Sequence, residues 1–185
     1  MQTSTLTVNQ PAQYGAVRNM QSLAGATVNS MDMTDQIVLI ALQVFQVAFL
    51  WFHDWIPLGR LNDVRAVRNQ DTLQRLIVVT LIQSVPWTIG LVFSGLYFGQ
   101  SYPDWLGSWL RGTYVILFLG ELYAWWVPYL VRVDAKRAAR YQIMFGNTHS
   151  FLPLHNGIVP NTLHVVLHAS TAATLVMLFA FFDGN

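Results

Sequence analysis

What most constrains this chain is a series of long apolar runs, roughly 37–58, 76–98, 110–131 and 163–182, in which charge is scarce. A bilayer core takes about 20 apolar residues as a helix. In lipid, every backbone N–H and C=O must find its partner inside the segment, so an apolar run of this length must be helical. Only 10% of the residues are charged and 54% are hydrophobic, whereas a soluble domain carries about 25% charged residues. The expected fold is therefore an all-α integral membrane protein, a four-transmembrane-helix bundle in up-down order. The bilayer is its first partner, and no nucleic acid is expected. With no cysteine in the sequence, disulfides, thiolate metal sites and a cysteine nucleophile are excluded.

Residues 1–35 are rich in Gln, Asn, Ser and Thr and lack a basic stretch leading into an apolar one. They read as a mobile polar tail with a short helix near 16–23, and not as a secretory signal. Residues 36–185 form the transmembrane domain, connected by 59–75 and 132–162. Basic residues set its orientation. Arg60, Arg65, Arg68 and Arg75 flank the first connection, and Arg132, Lys136, Arg137 and Arg140 crowd the last. By the positive-inside rule both connections are cytoplasmic and both termini lie outside, as in a multi-pass protein of a bacterial-type inner or plasma membrane. Arg111 breaks the pattern, and is expected to snorkel to the outer interface towards Asp104.

Local signals refine the outline. Residues 60–75 have an amphipathic pattern. Pro86 should kink the second span. Gly99 to Pro103 form a turn, Gly95 and Gly99 allow close helix packing, Trp105 and Trp109 resemble interfacial anchors, and the third span ends in Trp125, Trp126 and Tyr129. The segment 132–141 extends as a basic helix that Gly146 ends. Residues 149–168 hold four of the five histidines. Pro153 and Pro160 break any helix there, and Asn156-Gly157 signals a tight turn. Asn161 and Thr162 then start the last helix.

Polar side chains recur at helical spacing on every span. They are Gln43, Gln46 and His53 on the first and Thr80, Gln83, Ser84, Trp87 and Thr88 on the second. Thr113, Gly120 and Glu121 follow on the third, and Asn161, His164, His168 and Thr171 on the fourth. Most such groups join membrane helices by hydrogen bonding. The ionisable ones ask for more, because an intramembrane carboxylate costs several kcal/mol unless it is paired or protonated. Counting about 1.5 Å per residue brings His53, Asp54, Glu121, His164 and His168 into the cytoplasmic half of one bundle. These five make a candidate catalytic site, binding a lipophilic ligand or doing proton chemistry on it.

Three other roles compete. His164 and His168, at i,i+4, could clamp a metal ion with Asp54. His53 with His164 or His168 could ligate a haem in an electron-transfer subunit. The polar stripes could also serve only to pack a structural subunit against a second copy or a membrane-complex partner. Arg132, Lys136, Arg137 and Arg140 are candidates for binding anionic lipid headgroups. His149 and His155 read as ordinary interfacial loop residues.

Overall fold

The computed structural model describes residues 31–182; most of the polar tail, including its expected short helix, lies outside them. Helix α1 is Met33–Phe52. It begins inside the stretch assigned to the tail because Asp32 and Asp35 form a capping box there. The Asp35 N–H donates to Asp32 Oδ1 at 2.8 Å and the Asp32 N–H to Asp35 Oδ2 at 3.2 Å, which satisfies donors at the start of the helix.

At its other end α1 stops at Phe52, short of the expected 58. Asn62 is the physical reason. Its Nδ2 donates to His53 O at 2.6 Å and Ile56 O at 2.8 Å, and its Oδ1 accepts from Leu58 N at 2.6 Å. A side chain nine residues downstream thus supplies the bonds that another helical turn would have made, and Asp54 sits in a turn and not in the span.

Within the expected amphipathic stretch lie a 3₁₀ turn, Gly59–Leu61, and a short helix α2, Val64–Asn69. Helix α3, Leu73–Leu96, is capped by Thr72 and runs unbroken through Pro86. Helix α4, Asp104–Leu130, contains a π turn at Leu122–Trp126. Helix α5, Ala135–Phe145, leaves α4 at 107° and ends at Gly146, as expected. Helix α6 is Thr162–Phe182. Three helices (α1, α3 and α6) are long and apolar enough to cross a membrane, or four if the bent α4–α5 pair counts as one span. The described residues contain no strand, only an isolated bridge between His155 and Ile158.

The long helices close a ring, with α1 against α3 and α6, and α4 against the same two. Both basic connections lie at one end of it. Arg140 reaches Asp71 at 2.7 Å, and the His149 N–H reaches Arg60 O at 2.6 Å. At the opposite end Gln36 brackets the α3–α4 turn, accepting from Gly99 N at 2.7 Å and donating to Gln100 O at 3.0 Å. Arg111 goes to the C-terminal end of α6, where Nη1 donates to Phe182 O at 3.2 Å, a place where a cation complements the helix dipole.

Close helix approach occurs at other glycines than the expected pair. A Cβ at Gly90 would come within 2.9 Å of Leu110, and one at Gly107 within 2.6 Å of the Phe182 ring, while Gly95 and Gly99 face open space.

One polar knot ties three helices. Gln46 donates to Ser170 Oγ at 3.2 Å and Thr174 Oγ1 at 2.9 Å, and its Oε1 accepts from Tyr114 OH at 2.7 Å. Ser170 and Thr174 also donate to carbonyls of their own helix, so Tyr114 would lose most if Gln46 were replaced. Gln46→Leu is expected to destabilise the bundle by about 1–3 kcal/mol, the cost of stranding a buried hydroxyl. Tyr114→Phe in the Gln46→Leu background should recover part of that loss in thermal unfolding. No recovery would mean that the knot does not carry the effect.

Candidate functional site

The site is shaped by a backbone irregularity. In a regular helix Ala124 O would accept from residue 128, but Pro128 has no N–H. The helix takes one extra residue into the turn, so that the Val127 N–H bonds Leu122 O. π turns of this kind recur at functional sites. The carbonyls set free are recovered by α5. Ala124 O accepts from Arg137 Nη2 at 2.9 Å and Tyr141 OH at 2.7 Å, and Tyr123 O from Arg137 Nη2 at 3.1 Å. The added residue rotates Trp125 and Trp126 relative to the helix before it. Trp125 turns inward and is buried.

Trp125 is part of an aromatic enclosure around His164. Ring centroids lie 4.4 Å away for Trp125 and 5.5 Å away for Phe49, His53 and Phe145. Beneath this group the 146–161 loop folds back. Asn156 and Gly157 take φ of 50° and 74° in a tight turn, as their sequence signals. His155 and Ile158 exchange backbone bonds across it at 3.0 and 2.9 Å, the geometry of a two-residue hairpin turn. Ile158 packs fully buried against Trp125 and Tyr129. His155 and Asn156 bond Tyr129 O, and His149 Nδ1 bonds Thr162 Oγ1 at 2.7 Å. These loop histidines brace the backbone.

Hydrogen-bond partners fix how the inner histidines present themselves. Asn161 Oδ1 accepts from the His164 backbone N–H at 2.9 Å and lies 2.6 Å from His164 Nδ1. An oxygen that accepts both makes Nδ1 the protonated nitrogen, so neutral His164 offers a lone pair at Nε2. His168 is the mirror case. Trp126 Nε1–H donates to its Nδ1 at 3.0 Å, which leaves the proton on Nε2. His53 Nδ1 donates to Phe49 O at 2.9 Å, and its Nε2 faces Asp54 Oδ2 at 3.3 Å. Burial raises the Asp54 carboxyl above its ordinary range. The facing His53 opposes that rise and Asp71 adds to it.

Of the five expected site residues, His53, Glu121, His164 and His168 line one cavity of about 320 Å³, together with Trp87 and Trp125. Asp54 reaches it only through His53. The third polar stripe divides, with Glu121 buried and Gly120 exposed at the cavity rim. Glu121 Oε1 accepts from Thr171 Oγ1 at 2.8 Å, but Oε2 is buried and without a partner, as is Trp87 Nε1. Glu121 is 6% exposed and Trp87 7%. Both residues line the cavity, but these two atoms are closed off from its space, and a buried polar atom without a partner is rare in proteins. Ile82 and Ile116, 69% and 67% exposed, mark the side of the cavity between α3 and α4 that faces out of the bundle.

The other expected groups fit less well. Among the described residues no three His, Asp or Glu side chains converge as a metal site, and the Trp126 bond engages the His168 lone pair that a metal would need. His53 and His164 touch edge to face at 5.5 Å while Phe49 stacks on His53 at 4.4 Å. Rings in direct contact leave no slot for a macrocycle between His53 and His164. Of the expected headgroup residues, Arg137 is committed to the π turn and Arg140 to Asp71, while Arg132 and Lys136 are exposed. Compared with protein-family models, with curated proteins and with solved structures, the chain matches none.

Proposed function

We propose that this is a four-span, up-down membrane protein whose cavity receives a lipophilic ligand from the bilayer between α3 and α4. Its basic connections lie in the cytoplasm, with both termini on the opposite side. The observation that carries the reading is the gradient within one cavity, from exposed Ile82 and Ile116 at the rim to Glu121, His164 and His168 inside. A cavity built for an ion or for water does not need an apolar rim facing lipid. A lipophile crosses such a rim without leaving its preferred solvent.

The inner groups are suited to hold a polar head and to move a proton on it. His164 Nε2 is a base and His168 Nε2–H a donor, with Glu121 beside them in the cavity wall. The His53–Asp54 pair supports the His164 ring from behind.

Gly120 gives the direct test, because a Cβ there meets nothing within 4 Å. Gly120→Leu should therefore fold normally while its side chain closes the rim. With a neutral, diazirine-tagged alkyl probe in native membranes, buried Leu167 is expected to be labelled, and Gly120→Leu to cut that labelling at least fivefold. Equal labelling in both proteins would sink the proposal.

A further inference from the structure

We infer that a groove at the basic end of the bundle, between the start of α3 and helix α5, binds the phosphomonoester headgroup of a membrane lipid. The groove is open, about 770 Å³ in volume, and shares no lining residue with the cavity. Its charged lining is Arg75, Lys136, Arg137, Arg140 and Asp134. Asp71 joins two of these, with Oδ1 3.0 Å from Arg75 Nη1 and Oδ2 2.7 Å from Arg140 Nη2. One carboxylate thus holds two guanidiniums side by side across the gap between α3 and α5. A guanidinium has five N–H donors, and Asp71 engages one terminal nitrogen of each, so both keep donors for a further acceptor. Lys136 is exposed in the same groove. The other charged groups are occupied, because Arg137 serves the carbonyls of the π turn and Asp134 caps α5, accepting from Arg137 N at 2.9 Å. Of the neutral polar lining, Tyr141 donates to Ala124 O and Gln70 adds an amide.

Charge selects the headgroup. Four cations against two carboxylates, with Asp71 counted, leave a surplus of two positive charges. A phosphomonoester carries about −1.5 to −2 charges at pH 7 and three strong acceptor oxygens, enough to meet that surplus and to engage Arg75, Arg140 and Lys136 together. A phosphodiester or a carboxylate brings a single charge and fewer such oxygens. The surface leading away from the groove makes the ligand a lipid. On α3, Val78, Val79 and Ile82 follow Arg75 at i+3, i+4 and i+7, so they share its face. All three are exposed, and they form an apolar stripe rising about 10 Å from the arginine along a helix long and apolar enough to cross a membrane. Exposed Ile143 adds an apolar wall to the groove itself. A free phosphate would leave this surface unused, whereas acyl chains attached to the phosphate would cover it.

The test uses the full chain in neutral detergent micelles and native mass spectrometry, which counts bound lipids. Four lipids share two oleoyl chains on glycerol and carry a phosphomonoester, a phosphoglycerol diester, phosphocholine or a succinate half-ester. The monoester is expected to bind as one copy per chain, about tenfold more tightly than each of the others. Exchanging Arg75 and Arg140 together for Lys keeps every charge but loses the planar forks, and should weaken the monoester about tenfold. Lys136→Gln should weaken it about threefold, and serves if the paired exchange fails to fold. Arg132→Gln removes the same charge at the same end of the bundle but outside the groove, and should leave the affinity unchanged. Soluble glycerol phosphate in large excess should not displace the lipid.

Diester or succinate lipid binding as tightly as the monoester would overturn the inference. So would equal losses from Arg132→Gln and Lys136→Gln, which would reduce the groove to nonspecific attraction between basic residues and anionic headgroups. Displacement by glycerol phosphate would make the ligand a soluble anion and overturn it as well. None of these results bears on the cavity, whose lipophile reading stands or falls with the labelling of Leu167.

Discussion

Replacing Arg137 with Met is expected to destabilise the protein by roughly 3 kcal/mol, on the scale of about 1.5–3 kcal/mol for each hydrogen bond to a charged group. The guanidinium serves the two carbonyls that Pro128 and the π turn set free, Tyr123 O at 3.1 Å and Ala124 O at 2.9 Å. It also lies over the Tyr123 and Tyr141 rings at 5.4 and 5.5 Å, so the Met side chain keeps some packing and loses the polar bonds. Tyr141 still covers Ala124 O, but Tyr123 O has no replacement. Backbone left unsatisfied at the edge of a membrane helix is costly, and the turn should relax in a way that moves Trp125. Near-ultraviolet circular dichroism should therefore change along with the melting temperature. Tyr141→Phe should cost about 1 kcal/mol, and Arg137→Lys should fall between, since an ammonium lacks the planar fork that serves two acceptors at once. If Arg137→Met stays within about 0.5 kcal/mol of wild type, the π turn does not depend on α5, and the headgroup role read from the sequence regains its claim on this residue.

The contrast between the helix cores and the site shows what kind of information a sequence carries on its face. The apolar runs located α1, α3 and α6 because lipid leaves an apolar run little choice but helix. The start of α6 was also legible, since Asn161 is a short polar side chain placed where a helix N–H needs it. Asn156-Gly157 gave up its turn for a similar local reason. One error was local, because the Asp32–Asp35 capping box starts α1 at Met33 and not at 37; the larger ones are long-range. Nothing between 52 and 58 says that the helix should stop, because the cause is Asn62 folding back on His53 O and Ile56 O.

The π turn has the same character. Pro128 was visible and four residues after Ala124, but a proline near the end of a span usually just ends it, and the carbonyls it frees are recovered from a different helix. That missing step is why the inward turn of Trp125 could not be read from the spacing. Glu121, His53, His164 and His168 were brought together by depth alone, and the structure puts all four around one cavity. Depth says nothing of rotation about a helix axis, which is why Gly120 was grouped with the buried face and Trp87 was placed among the structural polar groups. The tautomers of His164 and His168 were beyond reach for the same reason. Each is set by a neighbour's hydrogen-bonding type, Asn161 three residues before His164 and Trp126 on another helix.

Asn161→Leu should produce the second large effect, and one that reaches the site without touching the cavity. Asn161 is fully buried and its side chain does three things. It caps α6 through the His164 N–H at 2.9 Å, holds His164 Nδ1 at 2.6 Å, and donates to Leu61 O at 3.4 Å. Losing the cap costs about 1 kcal/mol, and stranding the buried imidazole N–H costs about 1–3 kcal/mol more. The Leu61 bond is long and contributes little, so the expected total is roughly 2–4 kcal/mol, less any relaxation that re-pairs the ring. The more informative readout is the ring itself. With Oδ1 gone, nothing obliges His164 to keep its proton on Nδ1, and nitrogen chemical shifts of labelled histidine should show the Nε2–H tautomer gaining population at the expense of Nδ1–H. His168, held by Trp126, should not change. Asn161→Asp retains an oxygen at the same place and should restore both the cap and the Nδ1–H signature, because the acceptor and not the amide group does the work. A wild-type His164 that already favours Nε2–H would contradict the assignment of Asn161 Oδ1 as the group that sets this tautomer.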